Sequence, residues 1–373
     1  MRYYGIDIHS DSMTAAVQEL LDGVWKIWTF SCSLHGPAFQ SFLQELKSQD
    51  LILVEATTLS FWFHRQVASR VRACHILNTH RLERRGNKTD KIDATRLVKI
   101  LAYNELMEPD LRNRPYIYVP PKEVQELRAL FSTYTLTKKM ITQLASRIHS
   151  IYKQNGMPIE RSKLHSRSFR EYLVTELSLP AMWMVQVCSL LNQFETLEAE
   201  KKQLHDVICF RGFQLFAEEV KLLLGISGFS VLTATALMAD IVTIRRFSSA
   251  KKFCSYLRTA PRVQASNETV HLGRTSKQGR ALTCTLLTQS VMHFQKIPHY
   301  GQFRDRIKAG KKPCIVRMAL IRKVLVSAYH VLTRNQPFRW VDQKSYASKL
   351  QALKSQVRKF EKTEHSGLLR EVS

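Results

Sequence analysis

Residues Lys88 to Arg96 read Lys-Thr-Asp-Lys-Ile-Asp-Ala-Thr-Arg, which places two carboxylates, Asp90 and Asp93, three residues apart. If the stretch is helical, positions i and i+3 share one face. Two like charges there destabilise a helix unless a cation sits between them. Lys88, Lys91 and Arg96 are close by, and a bound divalent metal would serve better. Taken alone, the stretch also fits a solvated helix start of ordinary mixed charge. Two acids earlier in the chain, Asp7 and Glu55, change the weighing, because each falls in a short apolar run. A lone acid in such a strand is costly to bury unless it is paired or metal-bound. Glu55 taken alone fits a strand-end helix cap equally well.

The elements that would carry these acids can be read in order. Residues 2–8 form a short aromatic and β-branched run holding Asp7. Runs at 13–20 and 24–30 flank Leu21-Asp22-Gly23, and Asp-Gly is a hairpin signal. Helical spacing over 37–47 leads to an apolar strand, Leu51-Ile-Leu-Val-Glu55. A helix at 59–70, a strand at 71–77, a basic run from Arg81 to Lys91 and a helix from Asp90 to about residue 104 complete the region. The βββαβαβα order, with acids ending the first and fourth strands, is the layout of the ribonuclease H-like fold. Four carboxylates gathered at one sheet edge suit two-metal phosphoryl transfer, in which Mg²⁺ or Mn²⁺ ions sit roughly 4 Å apart.

Beyond residue 120 the pattern turns helical. Leu127, Phe131, Tyr134, Ile141, Leu144, Ile148 and Ile151 are spaced by three, four or seven, and Val187, Leu190, Phe194, Leu197 and Leu204 repeat the pattern. This predicts an antiparallel helical hairpin or coiled coil. Between the two runs, Arg161, Lys163, His165, Arg167 and Arg170 suit a loop that contacts nucleic acid. Gly225-Ile-Ser-Gly228 predicts a helix–turn–helix whose second N-terminus could meet a phosphate. Ser266 and Ser276 are expected in loops rich in Arg and Lys, where a serine could hydrogen-bond a phosphate or attack one. After Trp340 the chain is polar and lysine-rich, which predicts a loosely held tail.

Composition narrows the partners. Lys and Arg number 56 against 31 Asp and Glu, a net charge of +25 spread along 373 residues. Such a field favours a polyanion, most commonly nucleic acid. No apolar run approaches the ~20 residues of a spanning helix, so no membrane role is expected. Seven scattered cysteines with no C-x-x-C pair argue against a disulfide framework and a zinc site, and for reduced thiols in the cytoplasm.

Several motifs together resemble one family. Gly5-Ile-Asp7-Ile-His, Val54-Glu55-Ala, Lys88-Thr-Asp90-Lys-Ile-Asp93-Ala, Leu224-Gly-Ile-Ser-Gly228, Ala260-Pro-Arg-Val-Gln-Ala-Ser266 and Ser276-Lys-Gln-Gly279-Arg occur in order. The chain resembles bacterial insertion-sequence transposases of the DEDD type, the group that includes the Piv DNA invertase and is associated with recombination guided by a bridge RNA. The resemblance implies an α/β region followed by a mainly α region. In detail it implies a RuvC-like (ribonuclease H fold) catalytic domain at 1–110, a helical coiled coil at 120–210 and a helical C-terminal transposase domain at 215–340, with a polar basic tail at 341–373. It implies Asp7, Glu55, Asp90 and Asp93 as catalytic and metal-holding residues, and a catalytic serine at Ser266, with Ser276 the second choice. Nucleic-acid contacts are expected from Arg84, Arg85 and Lys88, and from Arg262, Arg274, Ser276, Lys277 and Arg280. Expected partners are double-stranded donor and target DNA, a non-coding guide RNA, and further copies of the chain in a homodimer or tetramer. The expected setting is the bacterial cytoplasm, at the nucleoid. The family's usual Ser-Gly is Ser266-Asn267 here. The competing expectations are a RuvC-like structure-specific nuclease or invertase in which water attacks, and a nucleic-acid-binding protein that does not cut.

Overall fold

A computed structural model of the chain describes residues 1–79, 89–108, 114–177, 179–266, 269–276 and 278–365. The chain divides into two compact units, Met1–Pro120 and Pro121–Ser373.

In the first unit, alternating apolar runs become strands β1 (Arg2–Ile8), β2 (Ser12–Leu21) and β3 (Val24–Ser33). Asp22 and Gly23 join β2 to β3 with φ of 53° and 76°, the two positive values that a two-residue hairpin turn demands. Next come α1 (Pro37–Glu45), β4 (Leu51–Glu55), α2 (Ser60–Val67), β5 (Ala73–Leu77), α3 (Asp90–Met107) and β6 (Tyr116–Ile117). The sheet runs in the order β3-β2-β1-β4-β5-β6. β1 pairs antiparallel with β2 and parallel with β4, and β4 pairs parallel with β5. This mixed six-stranded sheet is compatible with the ribonuclease H-like layout.

Both faces of the sheet are covered. Tyr4, Ile6, Ile8, Ile52 and Val54 pack with Phe39, Phe42 and Phe63 of α1 and α2. Tyr3, Leu51 and Leu53 pack with Ala94, Leu97, Val98 and Leu101 of α3. The unit continues past residue 110, because Tyr116 and Ile117 pair with Leu77 and Ile76.

The second unit is built on two long helices, α4 (Lys122–Gln154) and α6 (Ala181–Leu224), with α5 (Arg167–Thr175) between them. Ile141, Ile148 and Ile151 of α4 share a core with Val187, Leu191 and Phe194. Leu127, Phe131 and Tyr134 share another with Ile208, Phe216 and Val220. Early α4 meets late α6 and late α4 meets early α6, so the pair is antiparallel. The basic segment between them is not an open loop. Arg161–His165 is a 3-10 turn, and three of the neighbouring cations are paired, Lys163 with Glu160, Arg167 with Glu171 and Arg170 with Glu195.

Next are α7 (Val231–Ile241), α8 (Ala250–Tyr256), β7 (Pro261–Ser266), β8 (Thr269–Thr275), α9 (Leu282–Phe294), α10 (Pro298–Ile307), α11 (Pro313–Arg334) and α12 (Gln343–His365). Two expectations change. The segments around Ser266 and Ser276 form an antiparallel ribbon with Ser266 opposite Thr269, where loops were expected. As far as His365 the lysine-rich stretch is α12, where a loose tail was expected: Leu353 is 2% exposed, and the Phe360 ring stacks on Phe210 of α6; residues 366–373 lie outside the described residues. No described helix is long and apolar enough to cross a membrane.

Candidate active site

Side chains alternate along a strand, so Tyr3, Gly5 and Asp7 share one face of β1, and Leu51, Leu53 and Glu55 share the same face of β4. That face carries α3. The helix crosses β1 at Gly5, where an added Cβ would lie 2.2 Å from the Val98 backbone nitrogen and 2.3 Å from the Ala94 carbonyl oxygen. Only glycine permits this approach. The crossing brings the N-terminal turn of α3 to the strand ends. Thr89 caps that turn, its hydroxyl accepting from the Ile92 amide, and Asp90 and Asp93 lie within it. Carboxylates are favoured at a helix N-terminus.

His9 Nε2 bridges the result, 3.5 Å from Asp7 Oδ2 and 3.3 Å from Asp90 Oδ2. Ligand atoms of Asp7, His9 and Asp90 all lie within 4.8 Å of one another. Burial pushes the Asp7 carboxyl above its ordinary value. The His9 imidazole pulls it back, while the charges of Glu55, Asp90 and Asp93 push it higher. The four acids named from the sequence therefore act electrostatically on one spot. The Asp7 side chain is 12% exposed and that of Asp90 59%, so a largely buried carboxylate faces an open one. Oxygen donors at such spacing, with excess negative charge, fit a hard divalent cation. His9 was missed as a site residue. Its signal was present, since Asp7 and His9 are two apart at a strand end and so share a face.

Ser266 lies in the second unit, at the end of β7. The side chains of Arg262, Ser266 and Arg274 lie outside the described residues, as do Arg84, Arg85, Lys88 and Lys277. Ser276 is half-buried, and its hydroxyl accepts from the Gln278 amide 3.2 Å away. Arg280, expected as a nucleic-acid contact, also has a partner within the fold. Its Nε donates to Asp240 Oδ1 at 2.8 Å, and Asp240 is fully buried. The other oxygen of Asp240 accepts from the amide and hydroxyl of Thr283, 3.1 and 2.7 Å away.

Two more arginines converge on the same helix end. Arg128 donates to the Ala239 and Asp240 carbonyls, and Arg246 to that of Ile241. Cations there complement the exposed carbonyls of a helix C-terminus. Burial, and then the charge of Arg280, lower the Arg128 pKa. Asp240 thus ties the end of α7 to Arg280, just after β8, and to the start of α9. This buried network was also missed, although a lone acid in the apolar run Val231–Ile241 signals a partnered carboxylate.

Residues 220–306 match the family described as Transposase IS116/IS110/IS902 family. They run from the end of α6 into α10 and include the β7–β8 ribbon and the Asp240–Arg280 pair. Over 121 residues the chain is 29% identical to the pilin gene-inverting protein of Moraxella bovis, a match covering 31% of this chain and 38% of that protein. The second unit therefore contains a stretch similar to the transposases of the IS116/IS110/IS902 family.

Proposed function

We propose that the chain is a transposase or site-specific recombinase that cuts and rejoins DNA strands by phosphoryl transfer. The observation that supports this reading is the cluster of Asp7, His9 and Asp90 at one edge of the sheet, with the charges of Glu55 and Asp93 also acting on Asp7. Their chain also carries the transposase-like stretch and a net charge of +25. Asp7, Glu55, Asp90 and Asp93, with His9 beside them, would hold Mg²⁺ or Mn²⁺. Such an ion, when bound, neutralises charge that develops on the scissile phosphate. The acids keep that edge negative and fixed, because α3 and the strands hold their backbones. Arginine and lysine side chains neutralise the DNA backbone and set its position.

The attacking group in this reading is the Ser266 hydroxyl. Its oxygen bonds to phosphorus as the bond to one DNA oxygen breaks. The serine loses its proton and the departing DNA oxygen gains one. The phosphoserine ester conserves the bond energy for rejoining. Pairing with a non-coding guide RNA would select the sites, and two or more copies of the chain would bring the DNA ends together. The Ser266 backbone pairs with Thr269 at the end of ribbon β7–β8, and the Asp240–Arg280 pair anchors the chain after that ribbon.

The test incubates the full chain, Mg²⁺ and RNA transcribed from the gene's flanking DNA with a plasmid carrying the gene and that flanking DNA. Wild type should form a protein–DNA species that survives denaturation. Ser266→Ala should lose it, and Asp90→Asn should lose both that species and strand cutting by on the order of 10²-fold or more. Cutting by Ser266→Ala at the wild-type rate would replace the serine with water. Cutting by Asp90→Asn would overturn the acid site.

A further inference from the structure

Helix α3 has a second surface. One flank, with Ala94, Leu97, Val98 and Leu101, is buried on the sheet. Away from it, Lys91, Thr95, Lys99 and Tyr103 recur every four residues and form one row along the helix. Ile92, Arg96 and Ile100 run beside them. Together with Asn104 and Pro115 these residues line a groove of about 940 Å³. Lys91 and Lys99 are exposed, and the Tyr103 ring is 63% exposed. The row begins one residue after Asp90. From Lys91 to Tyr103 it is roughly 18 Å long at the helical rise.

Charge decides what the groove accepts. Its charged residues are all cations, Lys91, Arg96 and Lys99, set among apolar lining, and Glu105, further along the helix, is paired with Arg114. A polyanion is the complementary occupant. The open aromatic ring decides its form. Bases in a duplex stack on one another, whereas an unpaired base can stack on a tyrosine. Cations at intervals along a groove, with an aromatic ring among them, are the means by which proteins hold single strands without reading sequence.

We propose that this groove binds a single-stranded polynucleotide, with phosphates on Lys91 and Lys99 and a base stacked on Tyr103. The strand leads to the Asp90 end of α3. Binding stands on the groove alone. Only the direction of travel rests on reading Asp7, Glu55, Asp90 and Asp93 as the cutting site.

The test measures binding of the full chain to labelled 20-nucleotide probes at several salt concentrations. The probes are single-stranded DNA, RNA of the same sequence, and duplex DNA. Tyr103→Ala should weaken single-strand binding about 10-fold or more, because one stacked base is lost. Tyr103→Phe should restore it, and duplex affinity should not change. Lys91→Gln with Lys99→Gln should make the salt slope on single strands shallower by about 1.4, two phosphates at about 0.7 each. A preference between the DNA and RNA probes identifies which strand the groove takes.

Wild-type affinity in Tyr103→Ala, or an equal loss on duplex, overturns the proposal. So does a change in oligomeric state, which would make Tyr103 a contact between copies. Asp90→Asn, measured alongside, separates the two readings. If it still cuts DNA, the acid site fails while the probe affinities report on the groove independently.

Discussion

Asp7 carries its charge in a largely buried place, where the charges of three other carboxylates act on it. Its raised pKa means that the folded chain binds the Asp7 proton more tightly than the unfolded chain does. The resulting stabilisation is present below the ordinary carboxylate range and is lost as pH rises through the folded-state value. Near neutral pH without metal, an ionised Asp7 is therefore a source of instability. Asp7→Asn should raise the melting temperature in a chelator at pH 7.5 by on the order of a few degrees. It should also lose most of the further rise that millimolar Mg²⁺ gives the wild type. Thermal melts with and without Mg²⁺ check both, and identical melts for the two proteins in chelator would refute the strain. Asp7 stood out in the sequence because a charge in an apolar strand demands an explanation, and Asp90 and Asp93 by their spacing of three on a helix. His9 could not be singled out in the same way, since a histidine just past a strand is unremarkable until its neighbours are placed around it.

At the scale of elements, the strand β1 and the helix α3 are useful only as a pair. Gly5 sets their distance, and the atoms that an added Cβ would strike are backbone atoms that no side-chain rotation can clear. Gly5→Ala should push α3 outward and cost about 1–3 kcal/mol or more. DNA cutting should fall with it while Asp90 and Asp93 are still present. Denaturant unfolding and a cutting assay on one preparation test this, and wild-type stability would show that the crossing is slack.

Strands β1 to β5 and helix α3 were legible because hydrophobic alternation and helical spacing are strong there. The β7–β8 ribbon was not, because its apolar alternation is only two residues long on each side of the polar run Ser266–Thr269, Val263 and Ala265 before it and Val270 and Leu272 after it. Helix α12 was hidden by its lysines. Its signal was a sparse stripe, Tyr346, Leu350, Leu353, Val357 and Phe360, spaced three or four apart and docked on the second unit's core.

For the whole molecule, the excess of cations sets how binding responds to salt. The excess lies almost wholly in the second unit, which has 41 Lys and Arg against 18 Asp and Glu where the first has 15 against 13, so a duplex would be held by many weak backbone contacts there. If about six phosphates are neutralised, affinity for duplex DNA should fall on the order of 10³-fold between 50 and 200 mM salt. Asp90→Asn should keep the same slope, because its carboxylate faces the candidate metal position and neutralises no phosphate. A titration of fluorescent duplex against NaCl decides this, and a flat profile would mean that charge does not drive binding. Composition made this property legible without any structure. The division at Pro120 was less so, because the short strand Tyr116–Ile117, which extends the first unit past residue 110, is too brief to leave a periodic signal.

The alternation that seats Glu55 beside Asp7 has a consequence for the kinds of change the gene can bear. A substitution removes one group and leaves the others where they were. Deleting a single codon within β4 reverses odd and even positions on one side of the gap. Either the carboxylate turns into the packing of α1 and α2, or the leucines before it exchange places with their neighbours. The site therefore tolerates a changed letter far better than a changed count.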